Sequence, residues 1–240
     1  MTITITHLYY DLLNLYGEQG NIKALKNYLE NMGIKVKINH ITIDDEINLK
    51  NTDFVYIGSG TEQNQMIVLK HLMKYKNEIK EYILNNKYFL ATGNSIELFG
   101  SVISSDKNIK CLNIFDYTTY RTSRRVVGEV LCKTKLIPNY VLGFINSIGY
   151  TKENENSLFE LVKKDDCMDF TSEGVHYNNF YGTYIIGPLL VRNPRLLTYI
   201  ANNVIKDKDP NFKLDKVDLK LENKAYKTFL ENSYKEYVKN

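Results

Sequence analysis

At 240 residues, 43% hydrophobic and 25% charged with a formal net charge of +3, the chain is long enough for one good-sized core and too short for two full domains. Its lysines are interleaved with Asp and Glu, so no basic stripe marks a nucleic-acid binder, and no apolar run approaches the roughly 20 residues of a membrane span. Cys111, Cys132 and Cys167 form no CxxC pair and His7, His40, His71 and His176 have no ligand spacing, so the expectation is a cytoplasmic protein with neither metal nor cofactor.

Thr2 to Tyr9 alternates β-branched and polar residues as a first strand. A glycine-punctuated loop from Asp11 to Asn21 leads into a helix with Ile22, Leu25, Leu29 and Met32 on one face, stopped by Gly33. Ile34 to Ile43 is a second strand, and Asp53-Phe-Val-Tyr-Ile57 a buried third ending in Gly58-Ser-Gly60. One long amphipathic helix with Leu69, Leu72, Met73, Ile79 and Ile83 inward precedes a fourth strand, Tyr88 to Ala91. Four strands separated by helical crossovers predict an α/β fold with a parallel, doubly wound sheet.

The middle of the chain has short links instead of crossover helices. Arg125 to Cys132 and Tyr140 to Ile145 read as strands of an antiparallel extension, and Leu158 to Lys164 as a short strand or a helical turn. Tyr181 to Pro188 is one further strand running into a Gly-Pro break. Asn193-Pro194 opens a helix with Asn as N-cap and Leu197, Ile200 and Val204 inward. Beyond Pro210 a lysine-rich helix carries Ala225, Phe229 and Tyr237 on one stripe. The expected organisation is one domain over 1–206 with a helical extension, 207–240, packed on it.

The chemistry concentrates at Tyr88-Phe-Leu-Ala-Thr-Gly-Asn-Ser-Ile-Glu-Leu-Phe-Gly100, a strand, a sharp corner and a helix. In open α/β sheets such a corner lies at a carboxyl strand end, where several kinds of hydrolase hold a nucleophile. Here it holds Gly93, which projects no attacking atom. Ser95 reads as first-turn helix, with Asn94 as cap and Glu97 closing a capping box. Gly58 and Gly60 serve an anion-binding turn or a tight structural one. Tyr9, Tyr10 and Tyr16 around Asn14 form either a packed loop or a partner surface.

The run Tyr9-Tyr-Asp-Leu-Leu-Asn-Leu-Tyr-Gly-Glu-Gln-Gly-Asn-Ile22 resembles the opening signature of the CobB/CobQ-like class I glutamine amidotransferases, most closely those serving as the small subunit of lipid II isoglutaminyl synthase. Further likenesses follow in order. Gly58-Ser-Gly60 with Glu62 and Gln63 resembles the oxyanion loop, Arg125 and Gly128 a mid-domain Arg-x-x-Gly, and Gly143-Phe144 with Asn146 and Gly149 a Gly-Phe-Glu-Asn-His-Gly-Gly stretch. Glu173 to Asn179 and Gly182 to Pro188 complete a resemblance covering about residues 3 to 205.

The resemblance implies a flavodoxin-like parallel sheet with helices on both faces. It also implies glutamine hydrolysis by a cysteine thiolate paired with a histidine, with ammonia passed to a partner synthetase. The Cys-Gly-Gly-x-Gln elbow lands on Gly93-Asn-Ser-Ile-Glu97, so Gly93 replaces the cysteine. His-Gly-Pro lands on Ile186-Gly187-Pro188, so Ile186 replaces the histidine. Asn146-Ser-Ile-Gly-Tyr150 replaces Asn-His-Gly-Gly-Arg.

The expectation is therefore a degenerate subunit, without glutaminase activity, of a Mur-ligase-like ATP-dependent synthetase in cell-wall precursor metabolism. Gly58, Ser59, Gly60, Asn94, Ser95, Arg125 and Asn146 are its candidate binding residues, for a small anionic or amino-acid ligand. The alternatives are altered chemistry through Ser95, Glu97 or His176, and a small-molecule sensor on the same fold.

Overall fold

A computed structural model describes residues 1–151 and 156–237. Its first half alternates strands and helices: β1 (Thr2–Leu8), α1 (Gln19–Asn31), β2 (Lys35–Ile41), β3 (Phe54–Ile57), α2 (Glu62–Leu72), α3 (Lys76–Leu84) and β4 (Tyr88–Thr92). Then come β5 (Val102–Ser104), β6 (Ile109–Lys110), β7 (Thr118–Lys133), β8 (Val141–Thr151), β9 (Phe159–Lys163), β10 (Ser172–Glu173), β11 (Val175–Tyr177), β12 (Phe180–Thr183) and β13 (Ile185–Ile186). Three helices close the chain: α4 (Leu189–Arg192), α5 (Pro194–Lys208) and α6 (Lys220–Ser233).

Among the described residues the first sheet has the order β11-β12-β4-β3-β1-β2. Its members are parallel except β11, which runs antiparallel to β12 at the edge. Every residue of β3 and β4 is buried, so both faces of the sheet are covered, as the unbroken apolar runs require. The strands of the middle form a second, seven-stranded sheet around the long antiparallel β7–β8 pair instead of continuing the first, antiparallel throughout except where β5 runs parallel to β7. The register of that pair shifts between Arg121 and Val126. The single strand read from Tyr181 to Pro188 divides at Tyr184: β12 stays in the first sheet and β13 pairs with β8 in the second.

The long helix is broken. A 3₁₀ turn at Met73–Tyr75 separates α2 from α3, and Met73, read as inward, is 40% exposed. The break is held by His71, whose Nδ1 pairs with the Tyr9 hydroxyl at 3.0 Å while its ring meets Tyr75. Leu158 to Lys164 resolves as a strand, β9.

Asn193 stands at the N-cap position of α5, yet its side chain caps nothing. It accepts from the Leu142 N–H at 2.7 Å and donates to the Leu142 and Leu189 carbonyls at 2.8 Å, tying α5 to β8. In the C-terminal extension Phe229 and Tyr237 face inward as expected and Ala225 does not. Leu230, with Tyr234 just beyond the helix, packs on Leu131 and Leu142, with Tyr226, Phe229 and Tyr237 partly covered, and Ala225 is exposed. Among the described residues no helix is long and apolar enough to cross a membrane.

Candidate functional site

Ile57 and Ala91 are register partners on adjacent parallel strands, so the Gly58–Gly60 loop and the Gly93 corner open at the same sheet edge. Gly93 has φ +62°, a conformation for which glycine is the least strained residue, and starts a 3₁₀ turn through Phe99. A Cβ there would clash with the Ser59 Cβ and Oγ and meet Ile186 Cγ2 at 2.8 Å. Ile186, 93 residues away in sequence, thus packs directly against the corner.

The capping box does not form. Asn94 reaches across to the loop instead: its Oδ1 accepts from the Ser59 hydroxyl at 3.1 Å and the Gly60 N–H at 3.2 Å, and its Nδ2 donates to the Gly60 carbonyl at 2.9 Å. Ser95 is fully buried, its hydroxyl donating to the Thr92 carbonyl at 2.9 Å. Glu97 accepts from the Arg121 guanidinium at 2.7 Å and the Gln65 amide at 3.1 Å. Burial pushes the Glu97 carboxyl up, and Arg121 and Gln65 pull it back.

A second buried acid lies behind the corner. Glu18 Oε2 accepts from the Tyr56 hydroxyl at 2.6 Å and from the Thr92 hydroxyl, and the Gly187 backbone N–H lies close enough to help hold this carboxyl down. Burial raises the Glu18 carboxyl against these bonds. Tyr56 in turn accepts from the Asn21 amide at 2.8 Å. A carboxylate bonded beside position 186 is suitably placed to orient a basic group there, but an alkyl chain occupies that position.

In front of the corner is a cavity of about 340 Å³ lined by Tyr16, Ser59, Gly60, Glu62, Asn94, Arg125, Asn146 and Ser147, among others. Arg125 donates to Glu62 at 2.8 Å and Asn146 at 3.0 Å across its mouth. Of the sequence candidates, Ser59, Gly60, Asn94, Arg125 and Asn146 meet in this cavity. Gly58 instead packs against Glu18 and the Leu13 carbonyl, and Ser95 points back into the strand ends. His176 bonds the Asn178 carbonyl through Nε2 at 2.9 Å and stacks on Tyr181, and it is not part of the cavity wall. Among the described residues no group of three or more His, Cys, Asp or Glu side chains converges as a metal site.

The CobB/CobQ-like glutamine amidotransferase domain matches residues 4–194. This chain belongs to that family. Its curated relatives include the GatD subunits of lipid II isoglutaminyl synthase (glutamine-hydrolyzing) from two organisms. The Streptococcus pneumoniae protein is 31% identical over 86% of this chain and 82% of its own length. The Staphylococcus aureus protein is 27% identical over 96% of both. Two crystal structures of glutamine amidotransferases share the fold. One has a TM-score of 0.56 at 15% identity, covering 83% of this chain and 98% of the other. The second, from Thermotoga maritima, has 0.54 at 13%, covering 94% and 92%.

Within this amidotransferase fold, the sequence reading did not mark Glu18, Tyr56, Gln65 or Arg121 as parts of the site. Glu18 sits in a glycine-flanked loop and Arg121 in a polar run, and neither setting signals burial. The pairing partners lie 24 to 74 residues away.

Proposed function

We propose that this chain is a GatD-like amidotransferase subunit that no longer hydrolyses glutamine. It acts in the cytoplasm through contact with a Mur-ligase-like synthetase of cell-wall precursor metabolism, contributing stability, placement or regulation in place of ammonia. One observation carries this reading: the corner that would present a thiol is bare Gly93, and the residue packed against it is Ile186. Amide hydrolysis of this type needs a nucleophile and a proton carrier at those two points, and loss of either removes several powers of ten in rate. The substitutes are committed elsewhere, Ser95 to backbone carbonyls, Glu97 to Arg121 and His176 to Asn178. A tagged chain purified from its native cell should carry a Mur-ligase-like protein in near-stoichiometric amount, and its recovery without any ligase removes the main support.

A second reading, compatible with the first, is that the cavity holds a small anionic or amino-acid ligand. The Arg125–Glu62 pair at its mouth is about 40% exposed, so it is worth about 1 kcal/mol or less and is readily exchanged for a ligand carboxylate. Thermal-shift measurements with amino acids and small anions should show a rise in Tm that Arg125→Ala abolishes. A screen with no shift, or a shift that survives the substitution, counts against ligand binding at this site.

A further inference from the structure

In strand-corner-helix hydrolases the oxyanion is held by the N–H that follows the nucleophile and by an N–H from a neighbouring strand-to-helix loop. Here those positions are the Asn94 N–H, just after Gly93, and the Gly58–Gly60 loop that follows β3. The Asn94 N–H and the Gly60 N–H of that loop are already bonded within the chain. The Asn94 N–H donates to Ser59 Oγ at 3.3 Å, and the Gly60 N–H donates to Asn94 Oδ1 at 3.2 Å. The Ser59 hydroxyl completes a ring by donating to Asn94 Oδ1 at 3.1 Å, and Asn94 Nδ2 closes the far side on the Gly60 carbonyl at 2.9 Å. The same Ser59 side chain stands where a Cβ at position 93 would project.

We propose that Ser59 and Asn94 form a self-occluding clasp that fills both oxyanion donors and the volume of the nucleophile, so that the corner as it stands is closed to an amide whatever occupies position 186. Two side chains that satisfy the hole's donors leave no free N–H for a developing oxyanion. An imidazole restored at 186 would therefore still face a filled hole, and a thiol restored at 93 would first have to displace Ser59. The clasp also explains why the corner holds glycine, since any side chain at 93 displaces the Cβ of Ser59, which cannot rotate away.

This inference takes the corner as the ancestral hydrolytic centre, as the functional proposal does. Its test uses neither glutamine nor a partner, so its failure leaves that proposal standing. Two readouts on the purified chain decide it. In a stability cycle, Gly93→Ala should lower Tm by at least about 5 °C more in the native background than in a Ser59→Gly background. Folding of the alanine variant only when Ser59 is removed supports the clasp in the same way, and additive Tm changes overturn it. In hydrogen exchange followed by NMR, Ser59→Ala should speed exchange of the Asn94 amide about tenfold or more, and Asn94→Ala should do the same for the Gly60 amide, with the β3 and β4 amides unchanged. If Gly93→Ala folds in neither background the exchange result decides alone, and unchanged protection of both amides overturns the proposal.

Discussion

Replacing Arg121 by alanine should destabilise the protein by about 3–5 kcal/mol, because it leaves a buried carboxylate without its cation. Glu97 is 1% exposed and Arg121 11%, and the guanidinium donates to Glu97 Oε2 through Nη2 at 2.7 Å and Nε at 3.2 Å. Arg121 Nη2 also bonds the Gln65 carbonyl oxygen, whose amide returns to Glu97, so three side chains from three elements close one network. With the cation gone, burial raises the Glu97 carboxyl further with only Gln65 left to hold it down, so the variant becomes less stable as pH rises. Pairing Arg121→Met with Glu97→Gln removes both charges and should recover most of the loss. Urea unfolding of the native chain, Arg121→Ala and the double variant checks this, and a loss below about 1 kcal/mol in Arg121→Ala would mean the pair behaves as a surface one.

Glu173→Gln should remove a pH dependence of about 3 kcal/mol. The Glu173 carboxyl is buried where the chain steps from the first sheet to the second. It accepts from the Thr183 hydroxyl at 2.6 Å and the Tyr184 N–H at 2.8 Å, and desolvation pushes it up to about 7 from 4.5. The folded state thus holds a proton that the unfolded chain releases. Stability from the neutral acid is fully present below pH 4.5 and is lost as pH rises through 7. A shift of about 2.5 units corresponds to about 3 kcal/mol. Glutamine keeps both contacts, with its amide donating to Thr183 and its carbonyl accepting from Tyr184, and has no proton to lose. Unfolding curves at pH 4.5, 6 and 8 should show the variant gaining on the native chain as pH rises. Parallel curves would mean that the carboxyl is ionised at no cost. The contact lies two residues before Ile186, so it also sets how β13 is presented to the corner.

The parallel sheet was legible because burial on both faces writes continuous apolar runs, as in Phe54 to Ile57 and Tyr88 to Ala91. The corner was legible for a related reason, since a lone glycine between an apolar run and a helical pattern has few other uses. The second sheet was not. Ile185–Ile186 is two residues long and reads as the end of β12, and only its pairing with β8 assigns it elsewhere. The stripe of the C-terminal extension was legible at Phe229 and Tyr237 but not at its start, because period alone admits 225 as readily as 226, and packing around Leu131 and Leu142 decides. Asn94 and Asn193 stand at the places local rules assign to caps. Both bond distant backbone instead, since a side-chain amide can join two chain segments where a cap serves only one. Glu18 and Arg121 were missed because a buried charge resembles a surface one until its partner from another segment is in place.

The proposed loss of glutamine hydrolysis rests on Gly93 and Ile186 standing together at the corner. Release of ammonia and glutamate from glutamine by the purified chain, alone and with any Mur-ligase-like protein that co-purifies with it, measures this most directly. The expected result is the no-protein baseline in both cases. Protein-dependent release, particularly release abolished by Ser95→Ala, would contradict it.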